Sequence, residues 1–245
     1  KKNLLALAFL VGLLTCCKSE DAPIKPVKPT DPGSINKEYM SRAETTFANI
    51  FKYYWSDKVR MMFGSYPNTL GTPQEPSSPD YDSHAYLWGL GSVVSAFNAI
   101  VQNTDNVDFR MTYESRLKET LLKYYNTTKE PMCFGCFVNP HDQRLYDDAI
   151  WVGIDLADLY SKTKDSWYLD YAKSVWNFVL SGKDDELGGG VYWDENAKDS
   201  KNTCSNAPAV VLALKLYQIT NDAAYLENGK DIYKWTKSKL QDPSD

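Results

Sequence analysis

A pattern in the middle of the chain returns 57 residues further on: Leu159-Tyr160, Thr163, Asp165, Tyr168-Leu169, Lys173 and Trp176 reappear as Leu216-Tyr217, Thr220, Asp222, Tyr225-Leu226, Lys230 and Tyr233. Self-similarity at such a period means one supersecondary unit used repeatedly. In each copy an apolar stretch meets a short polar turn (Lys162-Thr163-Lys164-Asp165, then Ile219-Thr220-Asn221-Asp222) and a second, Lys-dotted amphipathic stretch. Apolar residues recur at three- and four-residue spacing, which predicts helices, and alternating strand patterns are nearly absent. The unit is therefore a helical hairpin. Helices are predicted over roughly residues 39–55, 84–102, 110–125, 147–162, 166–181, 207–220 and 223–240. Trp88, Trp151 and Val210 sit near the starts of three successive apolar helices, so residues 84–125 are expected to be an earlier, diverged copy.

Such hairpins stack as an open solenoid or close as a toroid with the apolar helices inside. The long insertions, residues 126–146 and 183–205, both precede an apolar helix. The N-termini of the inner helices should then open on one face under long loops, which is where chemistry carried by loops is to be sought. The formal charge of −5 leaves no basic surplus to neutralise phosphates, so no nucleic-acid partner is expected. The 17 Tyr and 7 Trp suit either a tyrosine-rich helical core or the apolar faces of sugars.

Three segments are expected. Residues 1–17 form a lipoprotein signal: Lys1 and Lys2 precede an apolar run from Leu4 to Leu14, too short for a permanent span, and Leu14-Thr15-Cys16-Cys17 resembles a lipobox. Cys17 is the expected lipidated residue, with Cys16 the alternative, and a lipid would be the sole attachment to a membrane. Lys18-Ser19-Glu20-Asp21 resembles the acidic tail of surface-exported lipoproteins of Gram-negative bacteria, predicting an outer-membrane, cell-surface location. Residues 18–38, with Pro23, Pro26, Pro29 and Pro32, form an extended tether. Residues 39–245 form the helical domain, expected to be a fragment.

The candidate chemistry lies in Leu145-Tyr146-Asp147-Asp148-Ala149-Ile150-Trp151. An acid pair at a helix start caps free N–H groups in many proteins. Here it is bracketed by Tyr146 and Trp151, company that a cap does not need. Retaining glycosidases place two carboxyl groups about 5 to 5.5 Å apart, one to attack the anomeric carbon and one to protonate the leaving oxygen. Mutual repulsion raises one titration so that this group stays protonated.

A second cluster is Leu187-Gly188-Gly189-Gly190-Val191-Tyr192-Trp193, followed by Lys201-Asn202 and Ser205-Asn206-Ala207-Pro208. The glycines allow unusual backbone angles, and Val191-Tyr192-Trp193 is expected to be a short strand presenting an indole. Asn202 is a candidate sugar ligand; Asn206 is either a ligand or a helix cap. Trp88 is either core or a sugar platform. Cys133-Phe134-Gly135-Cys136 lacks the further ligands zinc would need, which leaves a local disulfide or two free thiols, and Cys204 has no evident partner. No metal or cofactor is expected.

Tyr146-Asp147-Asp148-x-x-Trp151, Gly188-Gly189-Gly190-Val191-Tyr192-Trp193, Lys201-Asn202-x-x-Ser205-Asn206-x-Pro208 and the Tyr-Leu repeats together resemble glycoside hydrolase family 76. The resemblance covers roughly residues 39–240 and implies an all-α, (α/α)6 toroid of helical hairpins with retaining endo-α-1,6-mannanase activity on mannan or its oligosaccharides. It further implies Asp147 as nucleophile and Asp148 as acid/base. The residues themselves make Trp88, Tyr146, Trp151, Tyr192, Trp193, Asn202 and Asn206 the candidates around the sugar. This chain departs from the family in holding three hairpins rather than six, and in Ala149 where a polar residue is associated with the family. The competing readings are a noncatalytic surface glycan-binding protein on the same fold, and a different (α/α)6 enzyme such as an epimerase or unsaturated glucuronyl hydrolase. Scarce His disfavours the epimerase, and the linked Asp pair and Gly-Gly-Gly run disfavour the glucuronyl enzyme.

Overall fold

Helices account for nearly all the regular structure in the computed structural model, which describes residues 32–67, 84–138 and 143–244. The signal segment with Cys16 and Cys17, and most of the tether, lie outside the described residues. Contacts divide the chain into Lys1–Glu38 and Tyr39–Asp245; of the first unit the described part is the beginning of helix α1. Seven α-helices follow one another among the described residues: α1 (Pro32–Tyr54), α2 (Leu87–Asn103), α3 (Val107–Tyr124), α4 (Tyr146–Thr163), α5 (Ser166–Ser181), α6 (Thr203–Thr220) and α7 (Ala223–Leu240). Two small antiparallel pairs, β1 (Trp55–Ser56) with β2 (Met61–Met62) and β3 (Tyr125–Asn126) with β4 (Cys133–Phe134), trim the loops. No described helix is long and apolar enough to cross a membrane.

The hairpins are α2–α3, α4–α5 and α6–α7. α4 is the hub, packing against its own partner α5 and against α2 and α6 on either side, so the apolar helices form an inner row. Gly153 on α4 permits this closeness: a β-carbon there would lie 2.9 Å from Val175 of α5 and 3.1 Å from Leu212 of α6. At the other edge Phe47 and Phe51 of α1 join Phe97, Phe109 and Tyr113 in an aromatic cluster with ring centroids 4.7 to 6.1 Å apart.

The repeated turn has a repeated cause. Thr163 Oγ1 donates to the Leu159 carbonyl, Lys164 takes the left-handed conformation, and Asp165 caps α5 by accepting from Trp167 N–H. Thr220, Asn221 and Asp222 do the same for α7, where Asp222 accepts from Ala224 N–H. In the diverged copy Thr104 and Asn106 take the Thr and Asp places: Asn106 N–H donates to Thr104 Oγ1, and the Asn106 side chain accepts from Phe109 N–H.

The two helix starts that differ most from expectation are those of α1 and α6. α1 starts at Pro32 rather than at residue 39, because a proline preset near helical φ suits the first helical position and needs no N–H partner. α6 starts at Thr203 rather than at residue 207, leaving Pro208 inside the helix rather than in its first turn. The early turn is held by Asn206, whose N–H and side-chain amide both donate to the Asn202 carbonyl. The expected strand at Val191-Tyr192-Trp193 is an isolated bridge from Val191 to Lys183 instead, since the side chain of Asn206 takes both backbone groups of Val191.

Candidate active site

The long loops gather at the N-termini of α4 and α6, away from the tight hairpin turns. They are tied together there: Leu145 bridges Asp194, and Tyr146 N–H donates to the Trp193 carbonyl. Beneath them Arg144 is fully buried, paired through two nitrogens with Glu195 and donating to the carbonyls of Lys129 and Pro131. Its guanidinium also lies 4.7 Å from the centroid of the Phe178 ring. A buried cation with every side so occupied fixes the approach to α4 from three segments at once. Sequence reasoning missed Arg144 and Glu195, since partners 51 residues apart carry no local signal.

Asp147 and Asp148 occupy the first turn of α4, whose N-cap residue Leu145 supplies no side-chain cap. The positive helix end is thus left to the two carboxyl groups. Asp147 Oδ2 accepts from Trp193 Nε1 at 3.2 Å, and its buried Oδ1 has no hydrogen-bond partner among the described residues. The Cys204 thiol, at the start of α6, faces Asp147, and burial together with that carboxylate raises its titration. Asp148 is 8% exposed. Burial first, then the charge of Asp147, pushes its carboxyl up to about 6, opposed by the nearby Cys136 thiol. The two neighbours thus sit in unlike surroundings.

Beside Asp148 opens a cavity of about 310 Å³ lined by Trp88, Gly91, Ser92, Ser95 and Trp151. Trp88 is 56% exposed and Trp151 43%, so neither indole is core packing. Trp193, 37% exposed, stands on the Asp147 side. These three indoles and the acid pair are brought together as the sequence suggested, and Asn202 lies half-buried at the cap of α6 with no side-chain capping bond.

Three expected sugar ligands have other work. Tyr146 is buried, stacked on Phe178 at 4.4 Å with its hydroxyl 3.5 Å from Ser181 Oγ, so it anchors the helix start. Tyr192 is buried under Lys201, whose ammonium lies 4.3 Å from the centroid of its ring. Asn206 is neither sugar ligand nor helix cap: its side chain accepts from Val191 N–H at 2.7 Å and donates to the Val191 carbonyl at 2.8 Å. The Lys201 ammonium, also buried, donates to Asp184 and to the carbonyls of Glu186 and Gly189, clamping the glycine loop. Cys133, Cys136 and Cys204 are free thiols, which decides between the two states left open for the first pair. Among the described residues no group of three or more His, Cys, Asp and Glu is arranged to hold a metal.

The family model for glycosyl hydrolase family 76 matches residues 38–245. The chain is 31% identical to a family 76 glycoside hydrolase from a bovine Bacteroides thetaiotaomicron strain, with a TM-score of 0.72, over 84% of this chain and 43% of that one. A family 76 mannosidase of Bacteroides thetaiotaomicron is similar at 27% identity and a TM-score of 0.74, over 85% and 56%. The α-1,6-mannanase of Salegentibacter sp. HEL1_6 shares the fold at 24% identity and a TM-score of 0.64, over 85% and 53%. A comparison with curated proteins gives no match. The chain spans about half the length of these solved relatives, and its hairpins follow their (α/α)6 toroid over that half. With the family model matching from residue 38 to the last residue, and the acid pair, indoles and glycine loop in one place, the chain belongs to glycoside hydrolase family 76.

Proposed function

We propose that this chain carries the catalytic acid pair of a retaining, endo-acting α-1,6-mannanase. The observation that supports this most is the unlike environment of two adjacent carboxyl groups, with Asp148 buried and pushed up to about 6 while Asp147 accepts from an indole N–H. In the first step the Asp147 carboxylate attacks the anomeric carbon and the bond to the leaving O6 breaks, the Asp148 proton passing to that oxygen. The glycosyl ester removes the charge of Asp147, which eases ionisation of Asp148. Asp148 then takes a proton from water, the hydroxyl attacks the same carbon, and the ester bond breaks to restore Asp147. Trp88 and Trp151 would carry the sugar faces, with Trp193 and Asn202 on the opposite flank.

The α-1,6-mannanase of Salegentibacter lends support from outside, since a variant with two adjacent aspartates replaced by asparagine is described as inactive and in complex with α-1,6-mannotriose. Incubation with linear α-1,6-mannan should release oligosaccharides with retained anomeric configuration, and Asp147→Asn should abolish release. Binding by calorimetry without any release would favour a noncatalytic glycan-binding protein instead. The leader supports export and lipid anchoring at Cys17: labelled fatty acid should be incorporated in a Gram-negative host, incorporation surviving Cys17→Ala would move the anchor to Cys16, and no incorporation into the unsubstituted chain would remove it.

A further inference from the structure

Beyond the acid pair the facing sides of α2 and α4 carry a second, buried carboxyl group. Asp155 lies about two turns after Asp148 on the same side of α4. It is 6% exposed and held by two donors of α2: Ser95 Oγ reaches Oδ2 at 2.5 Å, and Asn98 Nδ2 reaches Oδ1 at 2.8 Å. The hydrogens of this network can be assigned from its far end. The Asp158 backbone carbonyl can only accept, so Gln102 turns its amide nitrogen there at 3.1 Å, and the same nitrogen donates to Asn98 Oδ1 at 3.0 Å. Asn98 must then point its own nitrogen at Asp155 and Asp158. Asp158 also takes the Lys215 ammonium of α6 at 2.5 Å. Asp155 is therefore the acceptor of this network, and Ser95 is the donor to it. Burial raises the Asp155 titration, and the bonds from Ser95 and Asn98 act against that rise.

Ser95 is half-buried and lines the cavity of about 310 Å³ beside Asp148, with Trp88 and Trp151. A serine hydroxyl has one hydrogen and two lone pairs. With the hydrogen given to Asp155, only lone pairs remain for the cavity, which then recognises a group that donates and refuses one that only accepts. We propose that Ser95 is a substrate-binding residue that accepts from a hydroxyl of the sugar held between Trp88 and Trp151, and that Asp155 is the positioning residue that fixes this polarity. The identity of the sugar rests on the function proposed above; the polarity of Ser95 does not. A pair serving only to staple α2 to α4 has no need of a buried charge, whose desolvation is costly.

The test is calorimetry in mildly alkaline buffer, with the whole chain carrying Asp147→Asn to stop turnover. The probes are α-1,6-mannotriose and analogues in which a single hydroxyl is replaced by fluorine, which cannot donate. One analogue should bind roughly tenfold more weakly than the parent sugar. Ser95→Ala should weaken the parent sugar by a similar factor and erase that difference. In Asp155→Asn the amide oxygen stays with Asn98, so the new amide N–H faces Ser95 Oγ and turns the serine hydrogen into the cavity. Binding of the parent sugar should fall, and the fluorine penalty should disappear.

Unchanged affinities in Ser95→Ala, or a fluorine penalty that persists in Asp155→Asn, would overturn the proposal. Lower melting temperatures in both variants with affinities untouched would do the same, since that is the mark of a staple alone. If Asp155→Asn does not fold, Ser95→Ala decides by itself. Mannotriose bound with no dependence on Ser95 would remove this inference and leave the proposed function. A chain that ignores mannotriose but binds another hexose trisaccharide with the same dependence on Ser95 and Asp155 would do the reverse, and one that binds no sugar would remove both.

Discussion

A carboxyl group kept from water beside a second negative charge stores a cost that can be measured. Asp148 is raised to about 6 in the folded chain against an ordinary 3.8. With the folded value the higher, its stabilising contribution is complete below about 3.8 and is lost as pH rises through about 6. Asp148→Asn, which cannot ionise, should therefore make the chain more stable at pH about 7.5, by at most about 3 kcal/mol. The gain should fade towards pH about 4. Urea unfolding at the two pH values checks it, and a gain of equal size at both would place its source outside the ionisation. The Asp pair itself stands plainly in the sequence. Its assignment to unlike environments does not, because Cys136 and Trp193 reach it from loops that are local to neither acid.

The glycine loop and the hairpin turns show how differently two elements of similar length are specified. The turns of the second and third hairpins are each coded by a Thr, a left-handed residue and an Asp within three positions, so the 57-residue echo alone reveals them. Asp222→Ala should remove the cap of α7 at a cost of about 1 kcal/mol. Asp165→Ala should cost more at neutral pH, since Asp165 also pairs with Lys118 at 2.5 Å and is held below its usual titration by that bond. This surplus should disappear as acid protonates Asp165, and equal losses at neutral pH in thermal melts would contradict it. The glycine loop depends instead on distant partners. Gly190 has φ of +80°, and a β-carbon there would stand 2.4 Å from the Trp235 ring, so Gly190→Ala should displace the loop, lower Tm and disturb Trp193. A Tm and a Trp193 environment unchanged in the alanine variant would show that the loop does not need the close approach.

Across the whole molecule, order along the chain becomes order in space. α4 touches α2, α5 and α6, whereas α7 packs chiefly on α6 and leaves Tyr233 exposed, with Val211 and Leu214 exposed on α6. In an array of hairpins that meet mainly their neighbours, opening free energy should grade from the edge inward. Hydrogen exchange should protect the α4 amides more than those of α7; uniform protection would mean that the hairpins open as one unit.

Helical class, hairpin turns, the inner row and the acid pair were determined by the sequence, because period, turn chemistry and adjacency are local properties of a chain. The tertiary structure decided which polar residues face the groove. Tyr146, Tyr192 and Asn206 look like sugar ligands as letters, but the fold buries them to hold α4 and the glycine loop in place. It also brought in Arg144, Glu195 and Cys136, whose partners come from other segments. Burial and long-range pairing depend on how elements pack, and packing sets the dielectric surroundings that give each of two identical aspartates its own chemistry.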